Sequence, residues 1–521
     1  RYPDLRNEAK KILKQLAKTN EDSQGQWARQ QLAKIQGLSS NYQEFLEAMV
    51  VLNANLQGQF PTQGKPIEAL VPEDLRLTLD DLRKNVNQRT ELELRAKLLA
   101  GRGLLSLQRE AVKILEWLAT SPDPMDLNTR FFLGQLYLAV GDWGKGSTQM
   151  EAVVRDAEKN KAEELRAYLV VYVDALLDHY EVAAAKRWVR VLKQKIPQVF
   201  DAYVREARTL VPKKRPGTDA APPPWQFDEA LQILRTAAKD KAIRQLSTRD
   251  ANEQQDADAK QATIVQWLEE LLQETVDSRP DDDPQPIRDL IEQYYRDIVQ
   301  DNPARQLMQV PYLVREGRRG EAVNLIVKYW ESTPLEMLAA MCGTTLSVSD
   351  AEKEDLSADR RAELDKQLTD VEEVLQQVLL KTQDAWKGAA DETARRRSLQ
   401  EYLLVLSVTA NHYVNTQRYR EAVALYTEIL KHQPENTIAL NNRAMILAAQ
   451  ASDLKMALKD INGLIEREGP LPMLVDTQAM VLRAAGKHQQ ALAASRRVLS
   501  EKPSQLDAAS NKNLAKQWGG Y

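Results

Sequence analysis

The feature that most constrains this chain is a helical pattern that returns about every 34 residues. Three stretches near the C-terminus share it: "HYVNTQRYREAVALYTEILKHQPEN", "MILAAQASDLKMALKDINGLIEREGP" and "MVLRAAGKHQQALAASRRVLSEKPS". Each has an apolar segment of helix length, a short polar break, a small residue, spaced apolar residues, and then Pro. The small residues Ala422, Ala457 and Ala491 are 35 and 34 apart, and the prolines Pro434, Pro470 and Pro503 are 36 and 33 apart. Small residues let the two helices of a hairpin approach closely, and Pro ends the second helix because it cannot continue the hydrogen-bond ladder. Ala410 is expected to face Ala422, and Ala479 to face Ala491. Tyr413, Tyr419, Tyr426 and Leu430 fill the first unit, and Leu482, Val498 and Leu499 the third. One hairpin cannot bury its apolar face alone, so neighbours must stack.

The same pattern recurs earlier. "FFLGQLYLAVGDWGKGSTQMEAVV" carries Leu133, Gly134, Tyr137, Gly141, Trp143, Gly146 and Val153. Stretches around Ala111 and Ala184 flank it at spacings of 35 and 38 from Gly146. A single further unit lies at "YLVREGRRGEAVNLIVKYWESTP", with Gly317, Ala322 and Pro334. "RNEAKKILKQLAK" reads as the second helix of a repeat whose first helix is missing, and the chain opens at Arg1 without Met. Both features read as a fragment or a processed product.

A period near 34 in a helix–turn–helix pattern resembles the tetratricopeptide repeat. The last repeats also resemble those of large bacterial proteins of this family. The resemblance implies an all-α fold of stacked helix–turn–helix repeats, a right-handed α-solenoid with interrupting linkers. It also implies that the first helices of successive repeats line a concave groove. Carried onto this sequence, the lining is Leu404, Ser407, Asn411 and Asn415, then Ile438, Asn441, Asn442, Met445 and Ala448, then Met473, Asp476, Met480 and Arg483. The partner-binding candidates among them are Asn411, Asn415, Asn441, Asn442, Met445, Met480 and Arg483. Asn can bond a peptide backbone through both amide atoms, and Met is an adaptable apolar contact. Chaperone-binding members hold a partner's C-terminal carboxylate with a clamp of Lys, Asn and Arg. The matching positions here are Leu404, Val408, Asn442, Met473 and Thr477, and only Asn442 fits.

Composition agrees with helix. Gly and Pro number 20 and 22 of 521 residues, together about 8% against an average near 12%. The formal charge of −4 gives no general drive toward nucleic acid or anionic membrane. The longest uncharged stretch, Ala48 to Gly64, holds Asn53, Asn55, Gln57, Gln59 and Pro61 and is too short and too polar to span a bilayer.

These signals divide the chain into N-terminal helical hairpins at 1–57, a linker and helix at 58–90, and a three-repeat block at 91–211. A Pro-rich linker, exposed and extended, follows at 212–226, then a divergent helical region at 227–300 in which 247–261 reads as a loop or frayed helix. An isolated hairpin at 301–345 and charged amphipathic helices at 346–400 lead to a second three-repeat block at 401–505 and a capping helix or tail at 506–521.

No catalytic pattern survives inspection. "GDWGKGST" (Gly141 to Thr148) has only two residues between Gly141 and Gly144, and Lys145 is followed by Gly146, so it fails the phosphate-loop spacing. Cys342 is the single cysteine, which excludes an intrachain disulfide and any multi-cysteine metal site. With no His nearby in sequence, a small buried thiol is the better reading. His179, His412, His432 and His488 form no zinc spacing, and the acidic run at Asp281 to Asp283 lacks the calcium-loop Gly and Glu. The basic runs at Lys213 and Arg395 lack interleaved stacking aromatics. The expectation is a non-catalytic scaffold without cofactor or metal that binds a protein or peptide segment, with no nucleic acid and no membrane span. The alternative is a regulatory or assembly part of a longer protein whose catalytic domain lies elsewhere.

Overall fold

The computed structural model describes residues 3–19, 23–37, 39, 41–56, 65–67, 70–215, 224–245, 252–279, 282–299, 303–348 and 356–501. The expected C-terminal tail at 506–521, Pro503 and most of the linkers at 58–64 and 216–223 lie outside them. The chain forms two compact units, one of residues 1–188 with 451–521 and one of residues 189–450. Among the described residues there is no strand; the single β-bridge joins Val199 to Arg244.

The first unit begins with α1 (Pro3–Thr19), α2 (Ser23–Gly37), α3 (Tyr42–Asn53), α4 (Leu79–Lys84), α5 (Arg89–Ala100), α6 (Leu105–Ala119), α7 (Leu127–Ala139), α8 (Trp143–Lys159), α9 (Leu165–Asp178) and the start of α10 (Val182–Lys195). Sequence neighbours pack as antiparallel-type hairpins, α1 on α2, α5 on α6 and α7 on α8. Short polar side chains start these helices: Asn41 accepts the Glu44 N–H, Asp126 the Thr129 N–H, and Asp142 the Lys145 N–H. Between α7 and α8 the chain turns at Gly141, φ 87°, and the Asp142 N–H donates to the Tyr137 carbonyl at 2.8 Å. The helices then cross at two glycines. A Cβ on Gly134 would stand 2.6 Å from Met150 Cγ, and one on Gly146 2.4 Å from Leu138 Cδ2 and 3.2 Å from the Gly134 carbonyl. That crowding explains why Gly occupies a position where the other hairpins carry Ala.

Arg95 is buried in this unit. Its guanidinium donates to Asn53 Oδ1 at 2.7 Å and to the Leu75 carbonyl at 2.9 Å, tying α5 to α3 and to the 3-10 turn at Pro72–Leu75.

The second unit holds the rest of α10, then α11 (Phe200–Leu210), α12 (Phe227–Lys239), α13 (Glu253–Ser278), α14 (Gln285–Val299), α15 (Pro303–Gln306), α16 (Val310–Arg315), α17 (Arg319–Tyr329), α18 (Leu335–Leu346), α19 (Ala358–Lys387), α20 (Glu392–Asn415), α21 (Tyr419–His432) and α22 (Thr437–Ala449). One apolar core runs from Phe200 through Trp267, Tyr312 and Cys342 to Val405. The polar segment at 247–261, expected as a loop or frayed helix, is helical from Glu253 onward. Asn252 and Gln255 form a reciprocal cap that satisfies the free N–H groups of the first turn. The ends of the Pro-rich linker are packed rather than exposed. Val211 and Pro212 are buried, the Trp225 indole donates to the Pro212 carbonyl at 3.0 Å, and the Arg279 guanidinium lies 4.2 Å over the Trp225 ring.

The first unit is completed by α23 (Leu454–Glu468), α24 (Pro472–Ala484) and α25 (His488–Glu501). α23 packs on α3, and Leu471 joins the core around Tyr42, Phe45 and Leu98. The unit boundary after Gln450 thus falls inside the segment 401–505. Leu499, expected inside the last hairpin, is 71% exposed. Val498 takes the inward position, and the next residue on a helix points about 100° away.

Candidate functional site

In the second unit, the residues that the resemblance assigns to a groove fall on α20 and α22. α20 buries Tyr402, Leu403, Val405, Leu406, Ala410 and Tyr413. Its other face presents Leu404, Asn411 and Asn415, all exposed and spaced seven and four apart, which places them on one side of a helix. Ala410 and Ala422 are both fully buried in one cluster with Tyr413, Tyr426 and Leu430. On α22 the outward stripe is Ile438, 64% exposed, followed by half-buried Asn442 and Met445. Asn441, Ala444 and Ala448 form the adjacent inward stripe and are buried. Consecutive residues cannot share one face at 3.6 residues per turn, so Asn442 faces outward and Asn441 faces in.

The asparagines are joined by a tyrosine that the sequence reading treated only as filler. Tyr426 Oη donates to Asn411 Oδ1 at 2.6 Å. Asn442 Nδ2 donates to Tyr426 Oη at 3.1 Å and reaches Asn411 Oδ1 at 3.5 Å, and Asn441 Nδ2 donates to Asn442 Oδ1 at 3.4 Å. Asn441 Oδ1 is buried and accepts no hydrogen bond. Burial pushes the Tyr426 phenol up, with the Asn442 bond opposing, so it stays a neutral donor at neutral pH. The result is an amide row whose rotamers are locked through one buried hydroxyl.

A charged clamp holds this hairpin to α19. His412 is buried, and its Nε2 lies 3.2 Å from Glu372 Oε2. Arg418, in the α20–α21 turn, pairs with the same carboxylate and lies 3.9 Å over the Tyr413 ring. Gln376 donates to Tyr413 Oη at 2.6 Å. Burial alone would raise the Glu372 carboxyl, but the His412 and Arg418 bonds outweigh it and hold it below the usual range. No sequence signal pointed to Glu372, because it lies 40 residues from His412.

Met480 and Arg483 belong to α24 of the first unit, where Met480 is half-buried and Arg483 exposed, with Met473 60% exposed on the same helix. Gln478 donates to Asn462 Oδ1 at 2.9 Å, linking α24 to α23.

The residues considered for chemistry lie elsewhere. Cys342 is fully buried, and burial pushes its thiol up to about 12, away from the thiolate a nucleophile needs. The stretch Gly141 to Thr148 is the end of the α7–α8 turn and the start of α8, and the Thr148 hydroxyl donates to the Gly144 carbonyl at 2.8 Å. Among the described residues no group of three or more His, Cys, Asp or Glu could hold a metal ion, and no helix is long and apolar enough to cross a membrane.

No protein-family model matches the chain, and no curated protein matches it in sequence. Solved structures align with it at low similarity. A Naa15/Naa10 complex bound to HypK-THB is 13% identical, covers 98% of this chain and 74% of its own, and gives a TM-score of 0.28. A human IFIT1 dimer with PPP-AAAA is 14% identical over 83% of this chain and 96% of its own, TM-score 0.27. The P58(IPK) TPR domain is 12% identical over 84% of this chain and all of its own, TM-score 0.19. The class is carried by the hairpins themselves, with small residues at the helix crossings, a polar break between helices and prolines after the second helix. They are successive helix–turn–helix hairpins, and the fold is all-α.

Proposed function

We propose that the chain is a non-catalytic protein-interaction scaffold. Its groove in the second unit takes an extended segment of a partner protein along Asn411, Asn415, Asn442 and Met445, with Asn441 buttressing Asn442 from behind. Met480 and Arg483 on α24 offer a further contact in the first unit. The observation that carries this reading is the Asn411–Tyr426–Asn442 ladder. It holds amide donors and acceptors in place between two exposed apolar side chains, Leu404 and Ile438. A peptide backbone needs such paired amides, and its side chains need apolar contacts on alternate positions. Groups already fixed by packing lose little entropy on binding.

A photo-cross-linking residue in place of Ile438 or Asn415, in the full chain within cells, tests the groove. A discrete protein adduct is expected at both positions and not at Ala424, which is exposed on the second helix of the hairpin. Asn411→Ala with Asn442→Ala should abolish the adduct. Adducts at Ala424 alone, or adducts indifferent to the asparagines, would reject the groove.

A further inference from the structure

We propose that the asparagine groove continues onto α18 and selects partner segments that carry no charge. The inference rests on the reading of that groove as a docking face, and it adds a third helix and the chemistry of the partner.

The chain is 28% charged, yet three helices of the second unit hold long uncharged runs. Residues 337–348, in and just after α18, and 402–417, in and just after α20, include no Asp, Glu, Lys or Arg. Residues 436–450, around α22, include only Arg443, whose guanidinium donates to Thr427 Oγ1 of α21 at 3.1 Å. His412, within the second run, is buried against Glu372. Solvated faces are normally rich in charge, so outward faces without it mark a surface that meets something other than water.

The outward faces of these helices adjoin. On α18, Met337, Ala340 and Thr344 are exposed or half-buried and lie three and four apart, on one side of the helix. On α20, Leu404, Val408, Asn411 and Asn415 lie four, three and four apart and share a side in the same way. A Cβ on Gly343 would stand 3.0 Å from Val408 Cγ1, so α18 and α20 approach closely at the seam between the two faces. On the far side of α20, Asn442 of α22 reaches Asn411. Helix axes packed about 8–10 Å apart make three helices a strip about 20 Å wide. That is the span of about six residues of extended chain.

The strip offers amides and apolar contacts and nothing that would neutralise a charge. Among the described residues the Asn415 amide has no hydrogen-bond partner, and Asn411 is engaged only through its oxygen. Both residues are exposed, so these amide groups are open to a peptide backbone. Ala340, Leu404 and Ile438, all exposed, supply the apolar contacts beside them. A Lys or Glu side chain laid on the strip would lose water without gaining a counter-charge. An extended segment of small and apolar uncharged residues complements the strip across its whole width.

The test uses the full chain and fluorescence anisotropy with labelled peptides of about eight residues, capped at both ends. One alternates Leu and Ser, and two others carry Lys or Glu in place of Ser. The neutral peptide should bind, and the charged ones should bind about 10-fold or more weakly. The neutral affinity should change less than about 2-fold between about 50 and about 500 mM salt. Ala340→Lys, at an exposed site of α18, should weaken neutral binding about 10-fold, whereas Ala424→Lys, exposed on α21, should leave it unchanged. Asn411→Ala with Asn442→Ala should weaken it too. If the asparagine pair matters and Ala340→Lys does not, the site ends at α20, and the extension is overturned while the groove stands. Charged peptides that bind as tightly as the neutral one, or a neutral peptide that does not bind, would overturn the selection against charge. Cross-linking at Ile438 and Asn415 judges the groove independently of both results.

Discussion

Gly469 lies against the ring of Tyr42, 427 positions earlier in the chain. It is buried at φ 89°, and a Cβ added there would stand 2.6 Å from Tyr42 Cδ2. Two requirements therefore coincide at one residue. The end of α23 needs a backbone conformation that L side chains rarely adopt, and the ring of α3 leaves no room for one. This contact, with Leu471 in the same core, makes residues from both ends of the chain part of one unit.

Gly469→Ala should cost about 1–3 kcal/mol, combining backbone strain with the clash. Denaturant unfolding of the full chain measures it. In a Tyr42→Leu background the clash is relieved and only about 1 kcal/mol should remain. Equal costs in both backgrounds would mean that the ring is not the obstacle.

Glycines in other helices should behave differently according to the space around them. Gly146→Val places a branched side chain where even a Cβ meets Leu138, and should cost about 1–3 kcal/mol. Gly463 on α23 has open space around its Cβ position. Gly463→Ala should therefore stabilise by about 1 kcal/mol through helix propensity alone. Melting temperatures that move in the same direction for both would contradict this packing.

Cys342 should resist alkylation by iodoacetamide at pH 8 in the native chain and react after unfolding in urea. Its thiol is raised from an ordinary 9.0 to about 12. A group raised in the folded state stabilises fully below its unfolded value and loses that contribution as pH climbs toward the folded one. The loss is about 1.4 kcal/mol per pH unit across that window. The stability difference between the chain and Cys342→Ala should therefore be flat up to about pH 8 and narrow above it. Rapid native alkylation at pH 8 would show the thiol to be accessible.

Glu372 carries the opposite dependence. A carboxylate held below its ordinary 4.5 stabilises fully above that value, and its contribution is lost as pH falls through the folded value. Glu372→Gln should lower stability by about 1 kcal/mol at pH 7 through the weakened bonds to His412 and Arg418. That difference should shrink as pH falls below about 4.5. A gap between the two proteins that stays constant down to pH 3 would remove the clamp from the energetics.

The sequence by itself determined the helices and their pairing. Apolar residues at helical spacing, small residues at crossings and prolines after second helices act within some 35 residues, and local patterns of that kind are readable without a fold. Ala410 with Ala422 follows from this alone. The family resemblance put Asn411, Asn415, Asn441 and Asn442 on one lining surface. It lacked the helix phase that turns Asn441 inward, since a repeat template assigns columns rather than rotations. Tertiary structure decided the contacts that join distant segments. Tyr426 links two asparagines, and Glu372 holds His412 and Arg418 from another helix. Gly469 meets Tyr42 only because the last hairpins pack on α3. Such pairings depend on which faces stack and at what angle. Those are set by the summed packing of whole helices, and no local run of residues carries them.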